Sequence, residues 1–167
     1  AIEAVAAAMR THSGSAGLQE VACHALIDLT FKDAENKTRA GTAGAVEVVV
    51  AAMRAHAGGA GLQEVACGAL TQLTFNDADN TTRAGTAGAV EVVVAAMRAH
   101  AGGAGLQVVA CRALTNLTLT DEGNRTRAGT AGAVEAVATA MRAHAEKAGL
   151  QVAACNLLRR LTFNDAE

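Results

Sequence analysis

Leu62-Gln63-Glu64-Val65-Ala66-Cys67-Gly68-Ala69-Leu70-Thr71-Gln72-Leu73-Thr74 is the stretch that decides the fold. Leu62, Val65, Ala66, Ala69, Leu70 and Leu73 recur at helical spacing, with small residues where helices must approach closely. Upstream, in Val46-Glu47-Val48-Val49-Val50-Ala51-Ala52-Met53, the larger apolar residues Val46, Val49, Val50 and Met53 fall at i, i+3, i+4 and i+7. A run of Val is β-prone, but the register and the Ala- and Met-rich continuation favour a helix. His56-Ala57-Gly58-Gly59-Ala60-Gly61 separates the two. Downstream, Asn76-Asp77-Ala78-Asp79-Asn80 is a loop rich in capping residues. Asn80 is placed to cap a short third segment, Thr81 to Ala87, which Gly88 ends. The unit reads long helix, long helix, short helix, and is all-α.

The unit is written four times with a period of 44 residues, over 1–44, 45–88, 89–132 and 133–167, the last copy stopping partway. The second and third copies differ at eight of 44 columns, which implies recent duplication, homogenisation or a consensus design. Such a period means a solenoid, here one repeat domain spanning 1–167. Long helices are predicted near 2–12, 18–31, 46–56, 62–75, 90–100, 106–119, 134–144 and 150–163, and short ones near 37–43, 81–87 and 125–131.

The 167 residues carry a net charge of −2, are 51% hydrophobic and include no Pro, Trp or Tyr, so the core must be built from Ala, Val, Leu, Met and Cys. No apolar run approaches the ~20 residues of a membrane span, and a slightly acidic chain is a poor nucleic-acid binder. The opening Ala1-Ile2-Glu3-Ala4 has no basic region, signal-like stretch or initiating Met, and is expected to begin inside a larger or processed product.

The arrangement resembles the armadillo repeat along the whole chain. The carriers are Gly44-Ala45-Val46, Leu62-Gln63, Ala69-Leu70-Thr71-Gln72-Leu73, Asn80 and Ala87-Gly88, in coincident copies. The short extra helix separates it from HEAT repeats. The resemblance implies a right-handed α-solenoid of four repeats, the last incomplete. It also implies a concave groove, lined by the last helix of each repeat, that binds an extended peptide or protein segment. Family members often carry a Trp and an Asn four residues apart there. The Trp column holds His24, Gly68, Arg112 and Asn156; the Asn column holds Asp28, Gln72, Asn116 and Arg160, so only Asn116 matches. The third helix has Ala40-Gly41, Ala84-Gly85 and Ala128-Gly129 where the family has large aliphatics. It is expected to be weak, since a mid-helix Gly costs about 1 kcal/mol against Ala.

Among the columns in which the copies diverge are four: Glu20, Glu64, Val108 and Val152; His24, Gly68, Arg112 and Asn156; Ile27, Thr71, Thr115 and Arg159; and Asp28, Gln72, Asn116 and Arg160. Within a copy these lie at i, i+4, i+7 and i+8, one face of the second helix. A second variable cluster, Lys32, Asn76, Thr120 and Asn164 with Lys37, Thr81 and Arg125, follows that helix. Drift should scatter, whereas Arg10, Arg54, Arg98 and Arg142, and Arg39, Arg83 and Arg127, stay fixed. This contrast favours a diversified binding face. Its first half is acidic through Glu20, Asp28 and Glu64, and its second half basic through Arg112, Arg159 and Arg160. Armadillo grooves hold peptides antiparallel, so by resemblance a ligand's acidic residues come first.

Other motifs carry structure rather than chemistry. Cys23, Cys67, Cys111 and Cys155 are strung at the repeat period and read as small buried hydrophobes, neither disulfides nor a zinc site. Unpaired Cys without a signal or membrane segment suggests a reducing, intracellular and cytoplasmic setting. His12, His56, His100 and His144 are placed to meet the terminal carbonyls of the first helices. Asn36-Lys37-Thr38, Asn80-Thr81-Thr82, Asn116-Leu117-Thr118 and Asn124-Arg125-Thr126 fit the glycosylation pattern, but chance and capping account for them better. Gly58-Gly59-Ala60-Gly61 lacks the Lys-Ser/Thr ending of a phosphate loop. With no catalytic constellation, cofactor motif or metal cluster, the expected role is a non-enzymatic binding scaffold. The alternative is a structural spacer that self-associates through its incomplete end faces.

Overall fold

A computed structural model describes residues 1–162 and places eleven helices and no strand there. The first helices of the successive copies are α1 (Ile2–Thr11), α4 (Ala45–Ala55), α7 (Ala89–Ala99) and α10 (Ala133–Ala143). The second helices are α2 (Ala16–Thr30), α5 (Ala60–Thr74), α8 (Ala104–Thr118) and α11 (Ala148–Thr162). The third helices are α3 (Ala34–Thr42), α6 (Ala78–Ala87) and α9 (Glu122–Thr130). Residue 163, the predicted end of the last helix, and Asn164 lie outside the described residues.

Each helix packs only against helices of its own copy or of an adjacent one, among the described residues. First helices follow one another in a column, as do second and third helices. The second-helix column is the most closely packed of the three. Between the columns lies one continuous core of Leu26, Leu70, Leu114 and Leu157, Met9, Met53 and Met97, three Val each from α4 (Val46, Val49, Val50) and α7 (Val90, Val93, Val94), and many Ala. Small residues let the helices come close enough for this aromatic-free core to exclude water.

Two boundaries differ from the sequence reading, and each has a local cause. The second helices begin two residues earlier, because extended Ser15, Gly59 and Gly103 are the N-caps. The third helices begin three residues earlier and run to 9–10 residues, one or two fewer than the first helices of their copies. Asp33, Asp77 and Asp121 cap them, each carboxylate accepting from the N–H three residues on at 2.8–2.9 Å. Asn80, expected as the cap, is instead buried. One left-handed glycine joins each third helix to the next first helix: Gly44 (φ 76°), Gly88 (φ 84°) and Gly132 (φ 74°). Arg10, Arg54 and Arg98 reach across to donate to Ala43 O, Ala87 O and Gly132 O at these joints.

Candidate functional site

All sixteen variable-face residues project from the second-helix column, and none of them is buried in the core. That is the outcome of their i, i+4, i+7, i+8 spacing opposite the Leu/Ala stripe. Neighbouring columns touch. Ile27 Cδ1 lies 3.5 Å from where a Cβ on Gly68 would sit. Gln72 Nε2 donates to Thr30 O at 3.0 Å, and Asn116 Nδ2 donates to Thr71 O at 3.0 Å. The amides of Gln72 and Asn116 are thus partly spent between helices, and Asn116 Oδ1 accepts no hydrogen bond among the described residues. Thr71 and Thr115 turn their hydroxyls inward to Cys67 O and Cys111 O, both at 2.8 Å.

Two carboxylates of the acidic half lie close to the next second helix, without a side-chain hydrogen bond or ion pair among the described residues. Glu20 Oε2 lies 3.4 Å from the Cβ position of Gly61, and Glu64 Oε1 lies 2.8 Å from that of Gly105. Both carboxylates therefore sit over the first turn of the next second helix, where unpaired N–H groups leave partial positive charge. Only Asp28 and the imidazole of His24 stand clear of such contacts in the first copy.

The basic half has no such neighbour among the described residues. The fixed arginines are all occupied: Arg39, Arg83 and Arg127 pair with Glu3, Glu47 and Glu91 at 2.9, 3.9 and 3.5 Å, and Arg142 donates to Thr139 Oγ1. Arg10, Arg54 and Arg98 hold the glycine joints, and Arg125 donates to Thr118 O at 3.2 Å. The constancy of those residues has a structural cause, so the contrast with the variable face does not by itself distinguish selection from drift. Arg112, Arg159 and Arg160 make no hydrogen bond or ion pair among the described residues, and all three are exposed.

A cavity of about 360 Å³ opens on this face between α8 and α11, against the end of α5. It brings together Thr71, Arg112, Thr115, Asn116, Val152 and Asn156, with Phe75, Gly149 and Ala153 completing the wall. Phe75 also borders a smaller hollow of about 200 Å³ shared with Leu119 and Asn116. Phe31, Phe75 and Leu119, exposed at the C-terminal ends of α2, α5 and α8, add an apolar edge that the copy comparison did not single out. His24, Asp28, Glu20 and Ile27 belong to α2 and are not gathered into this cavity.

The loop cluster divides: Lys32, Asn76 and Thr120 are exposed, with Asn76 and Thr120 bordering the smaller hollow, whereas the other three described members make structural contacts. Lys37 is buried, donates to Phe75 O at 3.2 Å and lies 5.2 Å from the Phe75 ring centre. Buried Thr81 donates to Asp77 O at 2.8 Å. With Arg125 they secure the helix ends instead of facing a ligand. The histidines are corrected too: His56, His100 and His144 place Nε2 2.7–2.8 Å from Ser13 O, Ala57 O and Ala101 O of the preceding loop. The first helices are capped by a column that sequence reasoning passed over. Gln19, Gln63, Gln107 and Gln151 each donate Nε2 to the Met and His carbonyls that end the helix, at 2.9–3.1 Å. The available signal was an unvarying amide inside an apolar stripe.

Cys23, Cys67 and Cys111 are buried free thiols, and burial pushes each up to about 12; Cys155 is exposed. Among the described residues no three His, Cys, Asp or Glu side chains gather as metal ligands, and no helix is long and apolar enough to cross a membrane. Guanidinium groups, amides and an apolar wall are what the variable face exposes. Compared with known proteins, the chain matches no family model, no curated protein and no solved structure.

Proposed function

We propose that the chain is a non-enzymatic scaffold of armadillo type, a right-handed solenoid whose second-helix column forms a concave groove for an extended peptide or protein segment. The observation that carries this reading is the cavity lined by Arg112, which has no ion-pair partner among the described residues, on the face where the copies diverge. The all-helical, nearest-neighbour packing supports the solenoid. A groove charged in this way favours a ligand with acidic residues against the second half, in which charge steers encounter more than it adds affinity. Without Trp pockets, a short peptide should bind at micromolar Kd, about 8 kcal/mol, or more weakly. Nucleic acid and membrane are not the partners in this reading.

The double substitution Arg159→Glu, Arg160→Glu tests it by titration at low salt. Affinity for an acidic-first ligand should fall about tenfold or more through a slower on-rate, and the helical circular dichroism should not change. Unaltered affinity for every ligand would leave the face without a role. A second reading, self-association, has its own observation. Val21 is 69% exposed where its counterpart Val65 is 8% exposed, and Cys155 is exposed where its three counterparts are buried. The first and last copies of the described residues therefore expose positions that inner copies bury. Light scattering separates the readings, because a stacking module grows with concentration.

A further inference from the structure

Resting on the groove reading above, we propose that the cavity between α8 and α11 is the subsite for one acidic side chain of the bound segment. Its carboxylate would take the place that Glu20 and Glu64 hold at the two preceding interfaces. The chain presents the same interface three times, α2 on α5, α5 on α8 and α8 on α11. At the first two, a glutamate of the leading helix lies over a glycine near the start of the following one. Glu20 covers Gly61 and Glu64 covers Gly105, with the oxygens 3.4 and 2.8 Å from the Cβ positions. The third interface keeps the glycine, Gly149, but replaces the glutamate by Val108. Among the described residues nothing approaches within 4 Å of the Cβ position of Gly149, and the cavity of about 360 Å³ opens beside it.

The charge changes in the same place. One helical turn beyond Val108, the third copy carries Arg112, where the first two carry His24 and Gly68. Arg112 lines the cavity and has no acidic partner among the described residues. An internal anion has thus been removed and a cation added around one void. Phe75 and Val152 offer apolar contact for the stem of a Glu or Asp, and the amides of Asn116 and Asn156 lie along the wall. The complement of such a hollow is a single carboxylate on an extended segment, with apolar flanking residues.

The test selects from a random nine-residue peptide library displayed on phage, against the full 167-residue chain and the variants Arg112→Gln and Val108→Glu. Val108→Glu restores the pairing seen at Glu64 and Gly105, so it refills the seat with a residue the fold already accommodates; circular dichroism verifies each variant. The native chain should enrich Asp or Glu at one fixed position at least tenfold over the input, and both variants should lose that enrichment. Peptides enriched without an acidic position, or an acidic position that survives either variant, overturn the subsite while leaving the groove reading standing. If no peptide is enriched at all, the groove reading fails and the subsite with it.

Discussion

Gly41 and Gly85 explain why this chain tolerates glycine inside a helix. Asn80 Oδ1 and Asn124 Oδ1 occupy the space a Cβ would need at those positions, so the glycine hydrogen faces the amide oxygen as a Cα–H···O contact. The same two Asn donate Nδ2 to Lys37 O and Leu73 O, and to Thr81 O and Leu117 O, at 2.9–3.3 Å. One buried amide thereby ties two copies together, and the helix-propensity cost of Gly is offset by what it admits. Gly129 has no atom within 4 Å of its Cβ position among the described residues. Gly85→Ala should therefore destabilise by about 1–3 kcal/mol, through overpacking and a displaced buried amide. Gly129→Ala should be neutral or stabilise by up to about 1 kcal/mol through helix propensity. Urea denaturation measures both, and equal responses would contradict the wedge role of Asn124.

At the scale of the element, what was legible in the sequence was periodicity. The Val46/Val49/Val50/Met53 and Leu62-to-Leu73 stripes located the first and second helices within about two residues, and the divergence pattern placed sixteen residues on one face. What was not legible was which polar residue of a crowded group would serve which backbone group. Asp77 and Asn80 are both good N-caps; only packing against Gly41 decides that Asn80 goes inside and Asp77 caps. Likewise the terminal carbonyls of α4 could have been met by His56, and are met by Gln63, whose side chain is buried one helix away. Gln63→Ala removes both donors and should cost about 1–3 kcal/mol, more than His56→Ala at its half-exposed loop contact. Thermal unfolding of the two variants checks the order, and a larger loss for His56→Ala would reverse the assignment.

For the whole molecule, contacts confined to neighbouring copies make stability a sum along one axis. The thiols report on that axis. Burial moves Cys23, Cys67 and Cys111 from the ordinary 9.0 to about 12, so the unfolded chain releases protons that the folded one retains. Stability should be full below pH 9 and fall between pH 9 and 12, on the order of 1 kcal/mol per thiol per pH unit. In reducing urea titrations Cys67→Ala should flatten that decline; an unaltered slope would mean the thiols are not held dry. The binding reading rests on a different column feature, the face of α2, α5, α8 and α11. Its most direct test is an amide NMR titration of the chain with a peptide recovered from the display selection. The account predicts saturable shifts centred on residues 108–116 of α8 and 152–160 of α11. Shifts confined to the column of α1, α4, α7 and α10, with the second helices silent, would contradict it.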